Sequence, residues 1–302
     1  MAPRIVEFSG VVAALASLAA CGAATVTPAH RPRPSPPATH DAIGASGSAP
    51  RPRRGLEPLE ARTRRPGSAV RTPLPILMYH VISPAPAGAK NPALWVTRAE
   101  FAAQVHRLRA RGYEAVTLQR AWDAWHGRDS LPAKPVVLSF DDGYLSQYTN
   151  AAKVLRPMGW PGVLNLKVAN IGPDGLTPYE VKAMVAAGWE LDAHSLTHPD
   201  LTAVGPRRLR REVSGSRRAL QRRFGVPVRF FCYPSGRFDA AAKAAVRRAG
   251  FLAATTTREG LASPGADHAA EPRIRVKAGD SPAAVLRFIE KASVAPESPN
   301  GR

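Results

Sequence analysis

The chain has 302 residues, 44% of them hydrophobic and 22% charged, enough for one large domain of roughly 200 to 250 residues plus extensions. Its two cysteines, Cys21 and Cys232, exclude a disulfide framework and a cysteine-built zinc ribbon. The formal net charge of +19 points toward nucleic acid, an anionic polymer or a membrane surface. The arginines, however, are scattered through a Pro-rich segment and along helix faces without interleaved aromatic residues, so a solvated basic surface and no specific nucleic-acid partner are expected.

Residues 1–21 read as an export signal. The run Phe8 to Ala20 is apolar and too short to span a bilayer as a helix. It ends Leu18-Ala19-Ala20-Cys21-Gly22, which resembles the lipobox of bacterial lipoproteins, in which the Cys is lipidated; an ordinary cleaved signal is the alternative. Residues 22–73 are rich in Pro, Arg, Ala, Ser and Gly, with too few apolar side chains to offset ordering entropy, and read as a disordered linker. The folded domain is expected over residues 74–292, with a disordered tail over 293–302.

Within that domain strands and helices alternate. Pro75 to His80 is an apolar strand ending in His80. Thr97 and Glu100 form a capping box ahead of a helix stopped by Gly112. Tyr113 to Leu118 reads as a strand, followed by a short helix around Trp122 and Trp125. After a strand at Val136 to Phe140, Tyr148 to Arg156 suits a helix and Val163 to Val168 a strand. Thr177, Pro178 and Glu180 start another helix, ended by Gly188, and Trp189 to Ala193 is a strand. A long basic helix from Pro206 to Phe224 stops at Gly225. Val228 to Phe231 is a strand, Asp239 to Ala249 a helix, Phe251 to Thr255 a strand, Arg273 to Val276 a strand, and Pro282 to Ala292 a helix. This alternation argues a parallel sheet with covering helices, most simply a barrel.

The strand Val136 to Phe140 ends in Asp141, Asp142 and Gly143. Side chains alternate along a strand, so both carboxylates cannot point into the core there. Two acids at a strand tip are costly unless they bind or react with something, although Asp-Gly is also a common turn dipeptide. A second group follows another strand: His194 and His198, four apart and followed by Pro199, which favours a tight loop. Two neutral imidazoles plus one carboxylate make a three-ligand site with positions left for water or substrate. Zinc suits these ligands, and so do Fe(II) and Co(II). His80, Asp141 with Asp142, His194 with His198, and Tyr233-Pro234-Ser235 all follow strands. In a β/α barrel the C-terminal strand ends meet at one face, so these distant residues would converge.

On these motifs the chain resembles the polysaccharide deacetylases of the NodB-homology group, carbohydrate esterase family 4. Ser139-Phe140-Asp141-Asp142-Gly143 is similar to the family's Thr/Ser-Phe-Asp-Asp-Gly motif, and His194-Ser195-Leu196-Thr197-His198 to its His-Ser/Thr-x-x-His motif. Phe231 to Gly236 resembles its Tyr-Pro-x-Gly motif. Pro75 to His80 and Pro272-Arg273-Ile274 resemble the Met-Tyr-His opening and late Arg-Ile element of one branch. The resemblance covers about residues 74–290 and implies a distorted (β/α) barrel that removes acetyl groups from sugars with a divalent metal. By position, Asp142, His194 and His198 would bind the metal, zinc first, with cobalt or iron as alternatives. Asp141 would be the general base. Tyr233, Pro234 and Ser235 would form the oxyanion and substrate element, with a backbone N–H at Ser235.

There are two departures. Many members carry an Arg where this chain has Cys232; Arg273 or Arg275 is a candidate partner of Asp141 in its place, a surface strand role being the equal alternative. The family's late Leu-x-x-His motif, which supplies its general acid, is not recognisable. His80 is the first substitute and His268, in a loop of Gly, Ala and Asp, the weaker one. The combined reading is an exported monomer, membrane-anchored through lipidated Cys21 or otherwise secreted, that deacetylates an envelope or extracellular polysaccharide, most simply at N-acetyl groups. A non-catalytic polysaccharide-binding module on the same fold, or a basic wall- or nucleic-acid-binding protein, are its rivals.

Overall fold

The computed structural model describes residues 70–294. The expected export signal, Cys21, almost all of the linker and nearly all of the tail lie outside the described residues. Eight strands are present: β1 (Ile76–Tyr79), β2 (Glu114–Ala115), β3 (Pro135–Asp142), β4 (Val163–Leu166), β5 (Glu190–Ala193), β6 (Phe230–Cys232), β7 (Ala253–Glu259) and β8 (Glu271–Arg275). Helices α1 (Arg98–Ala110), α2 (Leu118–Trp125), α3 (Lys153–Leu155), α4 (Pro178–Ala186), α5 (Pro206–Phe224), α6 (Ala240–Arg248) and α7 (Pro282–Val294) alternate with them. The sheet order is β1-β8-β7-β6-β5-β4-β3, and a β1–β3 pairing closes the ring. All these pairings are parallel. Strand β2 stands outside the closure and pairs only with the opening of β3, Glu114 with Pro135 and Ala115 with Val136. The result is a seven-stranded parallel barrel ringed by helices, the distorted (β/α) barrel that the family resemblance implied.

The period-2 pattern of the strands sorts side chains to the two faces of the barrel wall. Leu77 and Tyr79, Val136, Leu138 and Phe140, Leu164 and Leu166, Leu191 and Ala193 pack outward with the apolar faces of the helices. Their alternates Ile76, Val137, Val163, Phe230 and Ala253 form a second cluster that fills the N-terminal half of the barrel, closed by Leu118 and Trp125. Further along the strands other than β1 the inward positions turn polar: Ser139, Asp141, Asn165, Asp192, Cys232, Thr255 and Arg273, all buried. An apolar plug below and a polar layer above orient the chemistry toward the C-terminal strand ends.

Local signals fix the helix ends. Both capping boxes form, with Glu100 accepting from Thr97 N at 2.7 Å and Glu180 from Thr177 N at 2.7 Å, and Gly225 ends α5 with φ +70°. Three elements differ from the sequence expectation. The strand expected over Tyr113 to Leu118 is cut to two residues because Thr117 caps α2, accepting from Arg120 N at 3.1 Å. The helix expected over Tyr148 to Arg156 is π-helical over Gln147–Ala152 before α3. Strand β7 runs on to Glu259, four residues past the expected Thr255, and pairs with β8 through a register shift.

Candidate active site

The two carboxylates at the end of β3 share one side of the barrel wall because the chain breaks the strand alternation at the second of them. Asp141 follows the inward series Val137 and Ser139. Asp142 should then point outward, but its φ of +76° turns it back, and Gly143 continues with φ +85°. A Cβ at Gly143 would overlap Leu166, so the turn requires glycine there. Among the described residues only four non-glycine positions have positive φ: Asp142, Ser195, His198 and Ser235. All four lie in the motifs that sequence reading singled out. Left-handed backbone at non-glycine residues is costly and persists where the surrounding structure overdetermines it.

Asp142, His194 and His198 form one group of mutually close ligand atoms. His194 Nε2 lies 3.6 Å and His198 Nε2 3.7 Å from Asp142 Oδ1, too far for hydrogen bonds. Two metal–ligand bonds of about 2.0–2.2 Å at a tetrahedral angle span about 3.4 Å, so the spacing fits a cation between them. The supporting residues are equally specific. His194 Nδ1 lies 2.8 Å from the Cys232 carbonyl oxygen. A carbonyl can only accept, so Nδ1 carries a proton and Nε2 is the nitrogen left facing Asp142 to take up a cation. Ser195 Oγ accepts from His198 N at 2.8 Å. Glu212 of α5 accepts from Leu196 N at 3.0 Å, Thr197 N at 2.9 Å and Thr197 Oγ1 at 2.7 Å, pinning the histidine loop.

The electrostatics favour positive charge at this point. Burial lowers the His194 pKa, but Cys232 and then the carboxylates of Asp141 and Asp142 outweigh it and push it up to about 10. Burial and the neighbouring His194 charge pull His198 down. A proton on the imidazole pair thus occupies the place that a divalent cation would take, and metal binding would displace it.

Asp141 is held differently. Arg273, fully buried, donates from Nη1 to Asp141 Oδ1 and from Nη2 to Asp141 Oδ2, both at 2.8 Å. Asn165 Nδ2 donates to Oδ1 at 2.8 Å. Burial opposes ionisation, but the Arg273 charge and hydrogen bonds hold the carboxyl far below the usual carboxylate range. Arg273 is itself fixed by Thr256 O at 2.8 Å and Ser139 Oγ at 3.2 Å, and its Nη2 lies 3.3 Å from Cys232 Sγ. Of the two arginines considered for this role it is Arg273 that pairs with Asp141. The residue in the usual Arg position, Cys232, lies beside the guanidinium. A second close group, Asp141 with His194 and Cys232, is a poor cation site because Arg273 already occupies both Asp141 oxygens.

His80 is close to Asp141, with Nε2 3.8 Å from Oδ2, and its Nδ1 is buried without a hydrogen-bond partner among the described residues. Burial lowers its pKa, partly offset by Asp141 and Asp142. His268 is elsewhere. Its Nδ1 meets Glu271 Oε1 at 2.6 Å and its ring packs against Trp122 and Trp125, at the opening of β8 and away from the carboxylates. Tyr233 is also turned away. Its hydroxyl donates to Ala269 O at 2.9 Å and its ring stacks on Phe238 at 5.0 Å, so its side chain contributes packing, while Pro234 is buried and Ser235 exposed at the rim.

Several supporting residues escaped the motif reading. Gln147 Nε2 donates to the carbonyls of His80 at 2.8 Å and Asp141 at 2.6 Å, and Asn170 Nδ2 to Asp142 O at 3.0 Å. Tyr144 lies near Asp142, and burial, then the Asp142 charge, push its pKa up to about 12. Asn165 inside the apolar run of β4 and Glu212, the one acid of an Arg-rich helix, are polar exceptions in their segments and could have been flagged from sequence.

Comparison with known proteins agrees with this geometry. Residues 128–254 match the family model described as polysaccharide deacetylase. The chain is 31% identical over 219 residues to YxkH of Bacillus subtilis (strain 168), a protein named as a polysaccharide deacetylase, covering 72% of this chain and 76% of that protein. A 56-residue stretch is 45% identical to the poly-β-1,6-N-acetyl-D-glucosamine N-deacetylase of Escherichia coli (strain K12), covering 18% of this chain and 8% of that protein. Among solved structures, the Streptococcus pyogenes deacetylase PplD in complex with acetate superposes with a TM-score of 0.68 at 26% identity, covering 73% of this chain and 99% of that one. IcaB from Ammonifex degensii gives a TM-score of 0.63 at 27% identity, covering 73% and 97%.

Proposed function

The chain belongs to the polysaccharide deacetylase family, carbohydrate esterase family 4, and on that premise we propose that it is a divalent-metal-dependent hydrolase of N-acetyl groups on an envelope or extracellular polysaccharide. The observation that carries the metal dependence is the spacing of Asp142, His194 and His198 around one point. Zinc suits two imidazoles and a carboxylate, and cobalt or iron could replace it. When bound, the metal would act as a Lewis acid on the acetyl carbonyl and acidify water.

The remaining steps belong to the chain's own residues. Asp141 stays ionised and oriented by Arg273 and Asn165, and takes the proton of the attacking water as the new C–O bond forms at the acetyl carbon. The backbone at Ser235, held with φ +53°, is the candidate donor to the developing oxyanion. His80, neutral and with Nε2 3.8 Å from Asp141 Oδ2, receives that proton from Asp141 and passes it to the amide nitrogen as the C–N bond breaks. Acetate and a free amino sugar are the products. Preference for N-acetyl is supported by the similarity to a protein named as an N-acetyl-glucosamine N-deacetylase.

For location, the segment ending Leu18-Ala19-Ala20-Cys21 supports export and tethering by lipidated Cys21, with the Arg- and Pro-rich residues 22–73 as a spacer. Acetate release from N-acetylglucosamine oligomers, with and without chelator, tests the reaction. Undiminished release by an Asp142→Ala enzyme would remove the metal mechanism.

A further inference from the structure

Helix α5 carries a concentration of charge that the reaction does not use. Arg207, Arg208, Arg210, Arg211, Arg218, Arg222 and Arg223 are all exposed, and none has an ion-pair or hydrogen-bond partner among the described residues. The eighth, Arg217, is tied to the carbonyls of Val228 at 2.9 Å and Ala249 at 2.6 Å and lies over the Phe251 ring. The helix has one acid, Glu212, which is buried and engaged with the histidine loop. On α6, Arg248 is also exposed, while Lys243 and Arg247 pair with Asp267.

The arrangement is linear. With 3.6 residues per turn, Arg207, Arg211, Arg218 and Arg222 fall within about 60° of one another, opposite the buried Leu209, Val213, Ser216 and Leu220. At 1.5 Å per residue they span about 22 Å. Like charges four apart repel, so the stripe is kept against the interest of the helix. No large apolar side chain lies on this face, whereas a helix that settles on a bilayer inserts an apolar one; here the apolar face is buried in the fold. The stripe also leads to the site. Its first turns sit over the histidine loop through Glu212, and Gly215 packs on Leu196.

We propose that this face of α5 is a docking track for the substrate, and that the substrate is therefore an anionic linear polysaccharide with carboxylate or phosphate groups along its chain. Arg recognises both groups by paired hydrogen bonds. This rests on the deacetylase reading for the word substrate, but the track itself does not.

The test uses the full chain and a variant carrying Arg207→Gln, Arg211→Gln, Arg218→Gln and Arg222→Gln. Three measurements are made, the third being binding to anionic phospholipid vesicles. Retention is read on immobilised hyaluronan, an N-acetylated polymer with a carboxylate on alternate sugars, and on a phosphodiester-bearing glycan, across a salt series. Acetate release is read from hyaluronan and from neutral N-acetylglucosamine oligomers. The expected result is a fall of at least tenfold in the hyaluronan-to-neutral ratio of kcat/KM, with retention on one or both anionic polymers falling and its salt dependence becoming shallower by roughly three charges. Which polymer responds separates carboxylate from phosphate. An unchanged ratio together with unchanged retention overturns the proposal. So does loss of binding to anionic phospholipid vesicles without loss on either polysaccharide. If wild-type protein releases acetate from nothing, the deacetylase reading fails and retention alone decides the track. Should the fourfold variant not unfold cooperatively, the Arg211→Gln, Arg218→Gln pair carries the test at smaller amplitude.

Discussion

Arg273 reaches across the barrel from β8 to hold both oxygens of Asp141 at 2.8 Å. The pair is fully desolvated, and removing one partner would leave an uncompensated buried charge. Arg273→Lys, which cannot reproduce two parallel hydrogen bonds, should lower kcat about 100-fold while leaving KM nearly unchanged, because the effect is on the orientation of Asp141. Arg273→Leu should also cost about 3–5 kcal/mol of stability, as breaking a buried pair does. Steady-state kinetics and thermal unfolding separate the two effects.

The partner of Asp141 also marks the limit of sequence reading. The strands and helices were legible because apolar periodicity, capping boxes and glycine stops are local signals. The two acids and two histidines were legible because they are contiguous in motifs. Arg273 was visible only as one of two arginines, since both lie on the same face of β8 and what distinguishes them is depth, Arg273 fully buried within the barrel and Arg275 half-buried at the strand end. Tyr233 shows the converse. It belongs to a motif, but strand alternation directs its ring outward to Phe238. Gln147 and Asn170, which hold the backbone of the carboxylate turn, lie in segments whose local pattern gives no hint of the turn they serve.

Glu212 should govern metal affinity from outside the site. Glu212→Gln keeps the shape but removes the charge from three hydrogen bonds to the histidine loop. Loss of such outer support typically weakens a metal site about 10–100-fold. Competition with a chromogenic chelator measures it. Affinity equal to wild type would show that the loop holds itself.

Stability should fall as pH rises from about 4 toward 7, because of Asp192. It is fully buried, Oδ1 accepts from Phe230 N at 3.1 Å and Oδ2 has no partner. Burial pushes its pKa up to about 7, and its neighbour Glu190 is raised too, by burial and by Asp192. The unfolded carboxyl titrates near 3.9. Between these values the folded state binds the extra proton, so its advantage is present at low pH and lost as pH rises toward 7. Asp192→Asn should flatten that slope, raising stability near pH 8 by about 2–3 kcal/mol, or several degrees in Tm. Parallel pH profiles of Tm for wild type and variant would show the account wrong at this residue.

Metal should stabilise the fold by mass action. At a free concentration 100 times Kd the gain is about 2.7 kcal/mol, which for a domain of this size raises Tm by about 5–10 °C. The shift should vanish in His198→Ala, measured by calorimetry with and without zinc.

The most direct test of the central claim is the visible spectrum of the protein titrated with Co(II). One equivalent should bind with the intense absorption of a low-symmetry site, and Asp142→Ala, His194→Ala and His198→Ala should each abolish it together with acetate release. A cobalt spectrum and an activity that survive all three substitutions would contradict the account.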